Sequence, residues 1–304
     1  MIEISKFPKF EYLTIVHRVL IGRFNKDLES NYSDFQFNCL FSLDDNNTLR
    51  VSDINGNLVV VFVDSVSGEE VVSLLGIKEI NSSLEQLLGF VQKELKINYL
   101  TSVPELTVRN LNKSGDYDIR LDRDNCDYLY DVNEVVVMEG KKFANMRRKV
   151  NLCQRELEPE LVRLTPESLE TCWQFAARAS SVEITSQGDE IILSRRRDLR
   201  GLAKTIHFWD QLELGVYGVK IKNVIVAYAI IEVIPGSTIL LHHWAVDHAL
   251  TGLSEFMFWA ICSEFRGKQS FVNFEQDLGY AGLRKFKQHL QPCGLLNKYI
   301  VQAT

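Results

Sequence analysis

Leu214-Gly215-Val216-Tyr217-Gly218-Val219-Lys220-Ile221 opens the stretch on which the reading of this 304-residue chain turns. Polar turns at Lys222-Asn223 and Pro235-Gly236 set it apart from two further apolar, β-branched runs, 223–234 and 237–246. Runs of this composition between turn residues read as strands. The third leads through residues 247–252 into 253–265, an apolar segment long enough to read as a buried helix. Upstream, 161–164 is a short strand, and Thr165-Pro166 starts a helix with a cap residue and a first-turn proline. Leu169, Trp173 and Ala176 share its apolar face, and a second helix runs over about 189–204. Downstream follow a strand at 271–274, a helix near 282–290 and a strand at 298–302. The order is β-α-α-β-β-β-α-β-α-β.

The first half shows part of that order. Phe10, Leu13, Val16, Val19 and Leu20 recur at helical spacing, which predicts an amphipathic helix over 9–22. Runs at 49–52 and 58–63 flank Asn55-Gly56, a dipeptide suited to a tight hairpin turn. An apolar stretch at 70–75 and a helix over 82–95 follow, capped by Ser82 or Ser83 with Glu85 near its start. The order of the second half is similar to that of the acyltransferase fold that handles acyl-coenzyme A donors. The expected fold is therefore α+β: two tandem GNAT-like (acyl-CoA N-acyltransferase) domains, 1–135 and 136–304, each a mixed sheet flanked by helices.

Length alone agrees with two domains, at roughly 150 residues each. Hydrophobic residues are 46% and charged residues 24%, a globular composition that argues against extended disorder. With 17 Gly and 6 Pro, collagenous and low-complexity readings fall away. A net charge of −6 excludes a uniformly basic nucleic-acid binder but leaves room for a local basic face. No apolar run approaches the ~18–20 residues that span a bilayer, and the start MIEISKFPKF lacks the apolar core of a signal peptide. The six cysteines (39, 126, 153, 172, 262 and 293) form no C-x-x-C, so no structural zinc or disulfide framework is expected. Reduced thiols and a cytoplasmic location are the expectation.

Three stretches resemble one family. Asp122-Arg123-Asp124-Asn125-Cys126-Asp127-Tyr128-Leu129-Tyr130, with Glu139-Gly140-Lys141-Lys142-Phe143 and Arg147-Arg148-Lys149-Val150-Asn151, form the first. Asn273-Phe274-Glu275-Gln276-Asp277-Leu278-Gly279, with Gly282-Leu283-Arg284-Lys285 and Lys287, form the second. Asn31-Tyr32-Ser33-Asp34-Phe35 with Asn38 and Leu40 is a weaker third. Together they are similar to the phosphatidylglycerol lysyltransferase C-terminal-domain-like proteins, built as tandem acyltransferase-type domains. The resemblance implies transfer of an aminoacyl group from aminoacyl-tRNA to an acceptor such as a lipid head group. One departure stands out: Leu241-His242-His243-Trp244-Ala245 occupies a place where relatives commonly carry an acidic or Glu-Lys pair.

Acyl transfer needs an acceptor brought to the carbonyl, a proton sink and a donor for the developing oxyanion. Adjacent on a strand, His242 and His243 should point to opposite faces, one of them into the cleft. A cleft-facing imidazole serves as a base near neutral pH; the alternative is a hydrogen-bonded pair with no chemical part. Asp277, just before the last helix, either moves a proton or caps it. Arg284 and Lys287, three apart, share a helix face that suits a phosphate, a carboxylate or a tRNA 3′ end. Trp244 would line the cleft and make it more apolar, and Glu190 would orient a substrate amine or sit in a first helical turn. Gly252 is the one glycine in the 247–252 turn, where a coenzyme A donor usually wants several glycines and a basic residue.

Lys141, Lys142, Arg147, Arg148 and Lys149 form a basic patch on an acidic chain, and Arg195, Arg196, Arg197, Arg200 and Lys204 form another. Such clusters bind phosphate backbones, or are simply solvated helix faces. The expected function is an aminoacyl or acyl transferase using aminoacyl-tRNA as co-substrate, with no tightly bound cofactor. Its acceptor would be a small molecule, a peptide or a lipid head group carrying an amine or hydroxyl. The alternatives are an acyl-CoA-dependent N-acyltransferase and a non-catalytic binding module on the same fold.

Overall fold

A computed structural model describes residues 3–28, 31–44, 46–63, 69–112, 117–183, 189–234 and 236–304; side chains of 179–195 lie outside this description. The chain is α+β. Strands β1 (Glu11–Tyr12), β2 (Arg50–Ile54), β3 (Asn57–Val63) and β4 (Glu70–Leu75) form an antiparallel sheet in the order β1-β2-β3-β4. Asn55 and Gly56 both adopt positive φ (54° and 82°), the backbone that the two-residue hairpin demands. The helix expected over 9–22 begins only at Arg18, after a 3-10 turn at Ile15–His17. Glu11 and Tyr12 are instead drawn into β1, opposite Val51 and Arg50. The helix expected over 82–95 runs instead over Ile80–Phe90, starting before the expected serines, where Asn57 accepts from the Lys78 backbone N–H and shapes its entry. Ser83 is buried and accepts a hydrogen bond from the Asn57 side chain (3.0 Å), so it braces the hairpin rather than capping.

After β5 (Tyr99–Pro104) and β6 (Tyr117–Leu121), the chain does not finish one sheet before starting the next. β7 (Asp127–Asp131) crosses into a seven-stranded sheet with β8 (Glu160–Arg163), β9 (Gly215–Ile221), β10 (Val224–Ile234), β11 (Thr238–Val246), β12 (Phe271–Asn273) and β13 (Gly294–Leu296). Its order is β13-β7-β12-β11-β10-β9-β8. The last strand, β14 (Lys298–Ala303), returns to pair with β5 and β6 in the order β5-β14-β6. β7 thus lies before residue 135 yet belongs to the later sheet, and β14 lies after 136 yet belongs to the earlier half. A reading by chain order places 298–302 in the second half; antiparallel pairing of Tyr299 with Val103 and Leu121 places it in the first.

The buried Asp127, the partly buried Asp34 and one lysine hold this crossing. Lys298 and Asp127 are both fully buried, Nζ to Oδ1 2.6 Å, and Asp34 lies 2.5 Å from the same Nζ. Asp127 also accepts from the Ser33 backbone N–H and Ser33 Oγ (both 2.8 Å) and from Asn273 Nδ2 (2.9 Å). Such saturation is what keeps a buried charge tolerable. The main core lies between the seven-stranded sheet and the helices Ala144–Leu157 and Leu253–Phe265, with Tyr130, Phe143, Phe258 and Val272 at 1% exposure or less. Among the described residues, no helix is long and apolar enough to cross a membrane.

Candidate active site

β11 pairs in parallel with β12 only from Thr238 to Leu240. Beyond that the two strands part: β11 runs on to Val246, while the chain after Asn273 turns away through Glu275, whose φ is +52°. A cleft of about 1010 Å³ opens there, lined by His242, His243, Trp244, Gly252, Glu275 and Lys287 among others.

Both histidines line this cleft, against the expectation that alternation would separate them. The register explains it: Ile230 pairs with His243 and Ile231 with Leu241, leaving His242 as the extra residue of a β-bulge. A bulge re-aims side chains that strict alternation would send to opposite faces. His242 Nε2 lies 2.8 Å from Glu232 Oε2 and its Nδ1 lies 3.6 Å from Glu275 Oε1. Burial pulls its pKa down, but the two carboxylates outweigh burial and raise it to about 9. His243 Nε2 sits 3.2 Å from Ser42 Oγ and 3.4 Å from Thr205 Oγ1. Burial, then the neighbouring His242 charge, lowers its pKa to about 3. At neutral pH one imidazole already holds a proton and the other is a very weak base. Neither matches the neutral-range base that the sequence suggested.

Asp277 is likewise committed. Its fully buried carboxylate accepts from Tyr128 Oη (2.6 Å), Arg123 Nη1 (3.2 Å), Gly279 N (3.0 Å), and Arg284 Nε and Nη2 (2.9 and 2.7 Å). Burial raises its pKa, yet these donors, Arg284 foremost, hold it at about 2. This carboxylate is an anchor for the loop and the following helix, not a proton carrier. Arg284 is spent on it and on Asp124 (2.5 Å), so the expected shared Arg284–Lys287 clamp does not form.

Lys287, on helix Ala281–His289, is 4% exposed and reaches the cleft. Its Nζ donates to the Phe274 carbonyl and, at 2.6 Å, to the Gln276 carbonyl, and it lies 5.0 Å from the Phe274 ring centre. An ammonium has three donors, so one remains for a ligand in the cleft. Burial lowers its pKa to about 8, against the pull of nearby carboxylates led by Glu275. Trp244 packs on the same ring, with centroids 5.1 Å apart.

Gly252 precedes helix Leu253–Phe265 at φ +82°, and a Cβ there would lie 2.4 Å from the Lys149 carbonyl oxygen. Backbone packing therefore accounts for this glycine. In the same turn the Asp247 carboxylate accepts from the Ala249 N–H (3.0 Å), which places negative charge where a pyrophosphate would need donors. The 141–149 patch is partly neutralised. Lys142 pairs with Glu134 and Lys149 with the buried Glu255, each at 2.7 Å, and Arg147 donates to the Met138 carbonyl. Lys141 and Arg148 are exposed. In the second basic group, Arg197 donates to the Leu43 carbonyl (3.3 Å) and Lys204 to the Asp44 carbonyl (2.5 Å). Glu190 falls in helix Asp189–His207, but its side chain, like that of Arg195, lies outside the described residues.

Two cleft residues, Glu275 and Cys39, and Glu232 behind His242 escaped the sequence reading. Glu275 sits inside a quoted motif without an assigned part, and Cys39 and Glu232 gave no signal. Cys39 Sγ lies 3.8 Å from Glu275 Oε1, across 236 positions of sequence. No local pattern carries such a pairing.

The model of the family "Phosphatidylglycerol lysyltransferase, C-terminal" matches residues 25–302, and the chain belongs to that family. No curated protein matches it. Among solved structures, it is similar to a conserved protein of unknown function from Bacteroides thetaiotaomicron. The two are 23% identical, the match covers 97% of this chain and 99% of that one, and the TM-score is 0.84. It is also similar to L-PGS from Bacillus licheniformis (12% identical, 100% and 94% covered, TM-score 0.60). A third similar structure is FemX (10% identical, 96% of each chain covered, TM-score 0.57).

Proposed function

From that family membership we propose that the protein transfers an aminoacyl group from aminoacyl-tRNA to an amine or hydroxyl acceptor in the cleft beside β11. The observation that carries the reading is Lys287, a buried ammonium with one donor left over, at the cleft wall of a chain in an aminoacyl-transferring family. Its remaining N–H would hold the ester carbonyl and stabilise the oxyanion that forms when the acceptor attacks. Trp244 and Phe274 give the aminoacyl side chain an apolar wall. Exposed Lys141 and Arg148, near the start of helix Ala144–Leu157, would meet the tRNA backbone outside.

We read the fold as two tandem GNAT-like domains with exchanged strands. In support, β14 lies between β5 and β6 as β7 lies between β12 and β13, so equivalent places in the two halves are filled by each other's chain. The acyl-CoA alternative is disfavoured by Asp247, whose carboxylate occupies a backbone donor in the turn where pyrophosphate would bind.

The test is binding of a mixed aminoacyl-tRNA pool at two salt concentrations, with coenzyme A as comparator and a Lys141→Glu/Arg148→Glu variant. The reading expects salt-sensitive tRNA binding that the variant weakens, with no thermal stabilisation by coenzyme A. Stabilisation by coenzyme A without tRNA binding would move the assignment to an acyl-CoA-dependent enzyme. Binding of neither would leave a module whose partner lies elsewhere.

A further inference from the structure

The cleft poses a chemical problem: His242 is held by Glu232, His243 by Ser42 and Thr205, and Asp277 by Tyr128, Arg123 and Arg284, so each candidate proton carrier is already engaged. A cluster in its wall offers another route. Cys39 Sγ, His242 Nδ1 and Glu275 Oε1 come from helix Phe37–Leu43, the β11 bulge and the turn after β12, and all lie within 4.8 Å of one another. The two recorded separations from Glu275 Oε1 are 3.8 Å to the sulfur and 3.6 Å to the imidazole nitrogen. Tetrahedral zinc with ordinary bond lengths holds S, N and O donors about 3.4–3.6 Å apart, so side-chain torsions can complete the shell.

Two independent observations point to a ligand at this spot. First, His242 Nδ1 is a buried polar atom without a hydrogen-bond partner, on a side chain 3% exposed, and it is aimed at Glu275. Second, the opposite ring nitrogen is already held, 2.8 Å from Glu232 Oε2. A carboxylate on one imidazole nitrogen fixes the tautomer and frees the other nitrogen to ligate, the usual second-layer support of zinc-bound histidine. Cys39 is 4% exposed, and burial and the Glu275 charge keep its thiol protonated when nothing is bound.

We propose that Cys39, His242 and Glu275 form a three-ligand zinc site whose fourth position faces the cleft. A soft thiolate with an imidazole and a carboxylate selects zinc over magnesium or calcium, and three protein ligands leave the open position typical of a reactive site. On binding, the Cys39 S–H proton and any proton on His242 Nδ1 leave to solvent, and the metal takes their place. Resting on the transferase reading, the ligand for the fourth position is the acceptor's hydroxyl. Its bound form loses a proton to solvent and attacks the ester carbonyl with no side-chain base; as the new acyl–oxygen bond forms, the bond to the tRNA 3′ oxygen breaks, and that oxygen takes a proton from solvent and leaves as the ribose hydroxyl.

The site itself is tested without any transfer assay. Metal-free protein is titrated with Co²⁺ and followed by absorption, then back-titrated with Zn²⁺. The proposal expects one equivalent of cobalt with visible d–d bands and a near-ultraviolet thiolate-to-cobalt band, displaced by zinc. Cys39→Ser should remove the near-ultraviolet band, while Cys293→Ser, at an exposed thiol elsewhere, should keep it. Glu232→Gln should weaken cobalt binding roughly 10–100-fold through loss of second-layer support. Absence of the thiolate band in the unaltered protein, or its persistence in Cys39→Ser, would overturn the site. If Cys39→Ser does not fold, Glu275→Gln decides: cobalt affinity must fall at least tenfold, and unchanged affinity overturns the site. Normal metal binding with no tRNA binding would keep the site and sink only the transferase reading.

Discussion

Lys298 Nζ and Asp127 Oδ1 lie 2.6 Å apart, both side chains fully buried, where the two halves of the chain trade strands. Asp127 opens β7 in the seven-stranded sheet, and Lys298 opens β14 in the sheet of the first half. Removing the cation leaves the buried Asp127 beside the partly buried Asp34 without their common partner. Lys298→Met should cost about 3–5 kcal/mol, the penalty for stranding a buried charge. Because neither sheet is complete without the other half's strand, urea denaturation of the unaltered chain should show one cooperative transition. Two separated transitions, or a Lys298→Met midpoint unchanged from the parent, would contradict this role.

Asp277 supplies an acid-range prediction. Its pKa is about 2 folded, against 3.8 for the free carboxyl, so its contribution is fully present above about pH 4 and lost as pH falls through about 2. Asp277→Asn should destabilise the chain by about 2 kcal/mol at neutral pH, since charge-assisted bonds to Arg284, Arg123 and Tyr128 are weakened. That difference from the parent should shrink on acidification. Denaturant melts at pH 7 and pH 3 measure it, and a pH-independent difference would show that the carboxylate charge is not what matters.

At Lys287 the protonated form does the proposed work. With its pKa lowered to about 8 from 10.5, transfer should fall as pH rises through about 8. Lys287→Met, which keeps the buried stem, should reduce the transfer rate roughly 100-fold or more, as loss of an oxyanion donor does. A rate that climbs through the same pH range would make the neutral amine the working form instead.

Gly252→Ala tests backbone packing. At φ +82° and with 2.4 Å to the Lys149 carbonyl oxygen, the added Cβ has no room. A loss of about 1–3 kcal/mol is expected, with helix Leu253–Phe265 displaced from the turn. A thermal melt like that of the parent would refute the close approach.

Much of the frame was legible from the chain itself. Three strands in 214–246, the Asn55-Gly56 hairpin and the helix 253–265 follow from turn residues and apolar runs, which are local signals. The exchange of β7 and β14 was not, because a strand's pattern says which face is buried but not which sheet it joins. The site divides the same way. Motifs led to Lys287 and Asp277, but the part Asp277 plays depends on Tyr128 and Arg123, about 150 positions away. The bulge that turns both His242 and His243 into the cleft leaves no mark in the residue types.

The most direct test of the transfer account is a crystal structure with an unhydrolysable aminoacyl-adenosine amide, a mimic of the charged 3′ end. The account predicts density between β11 and the turn at Gly252, with the amide carbonyl within hydrogen-bond reach of Lys287 Nζ and the aminoacyl side chain against Trp244. Density at another surface, with the cleft unaltered and Lys287 still bonded only to the Phe274 and Gln276 carbonyls, would contradict it.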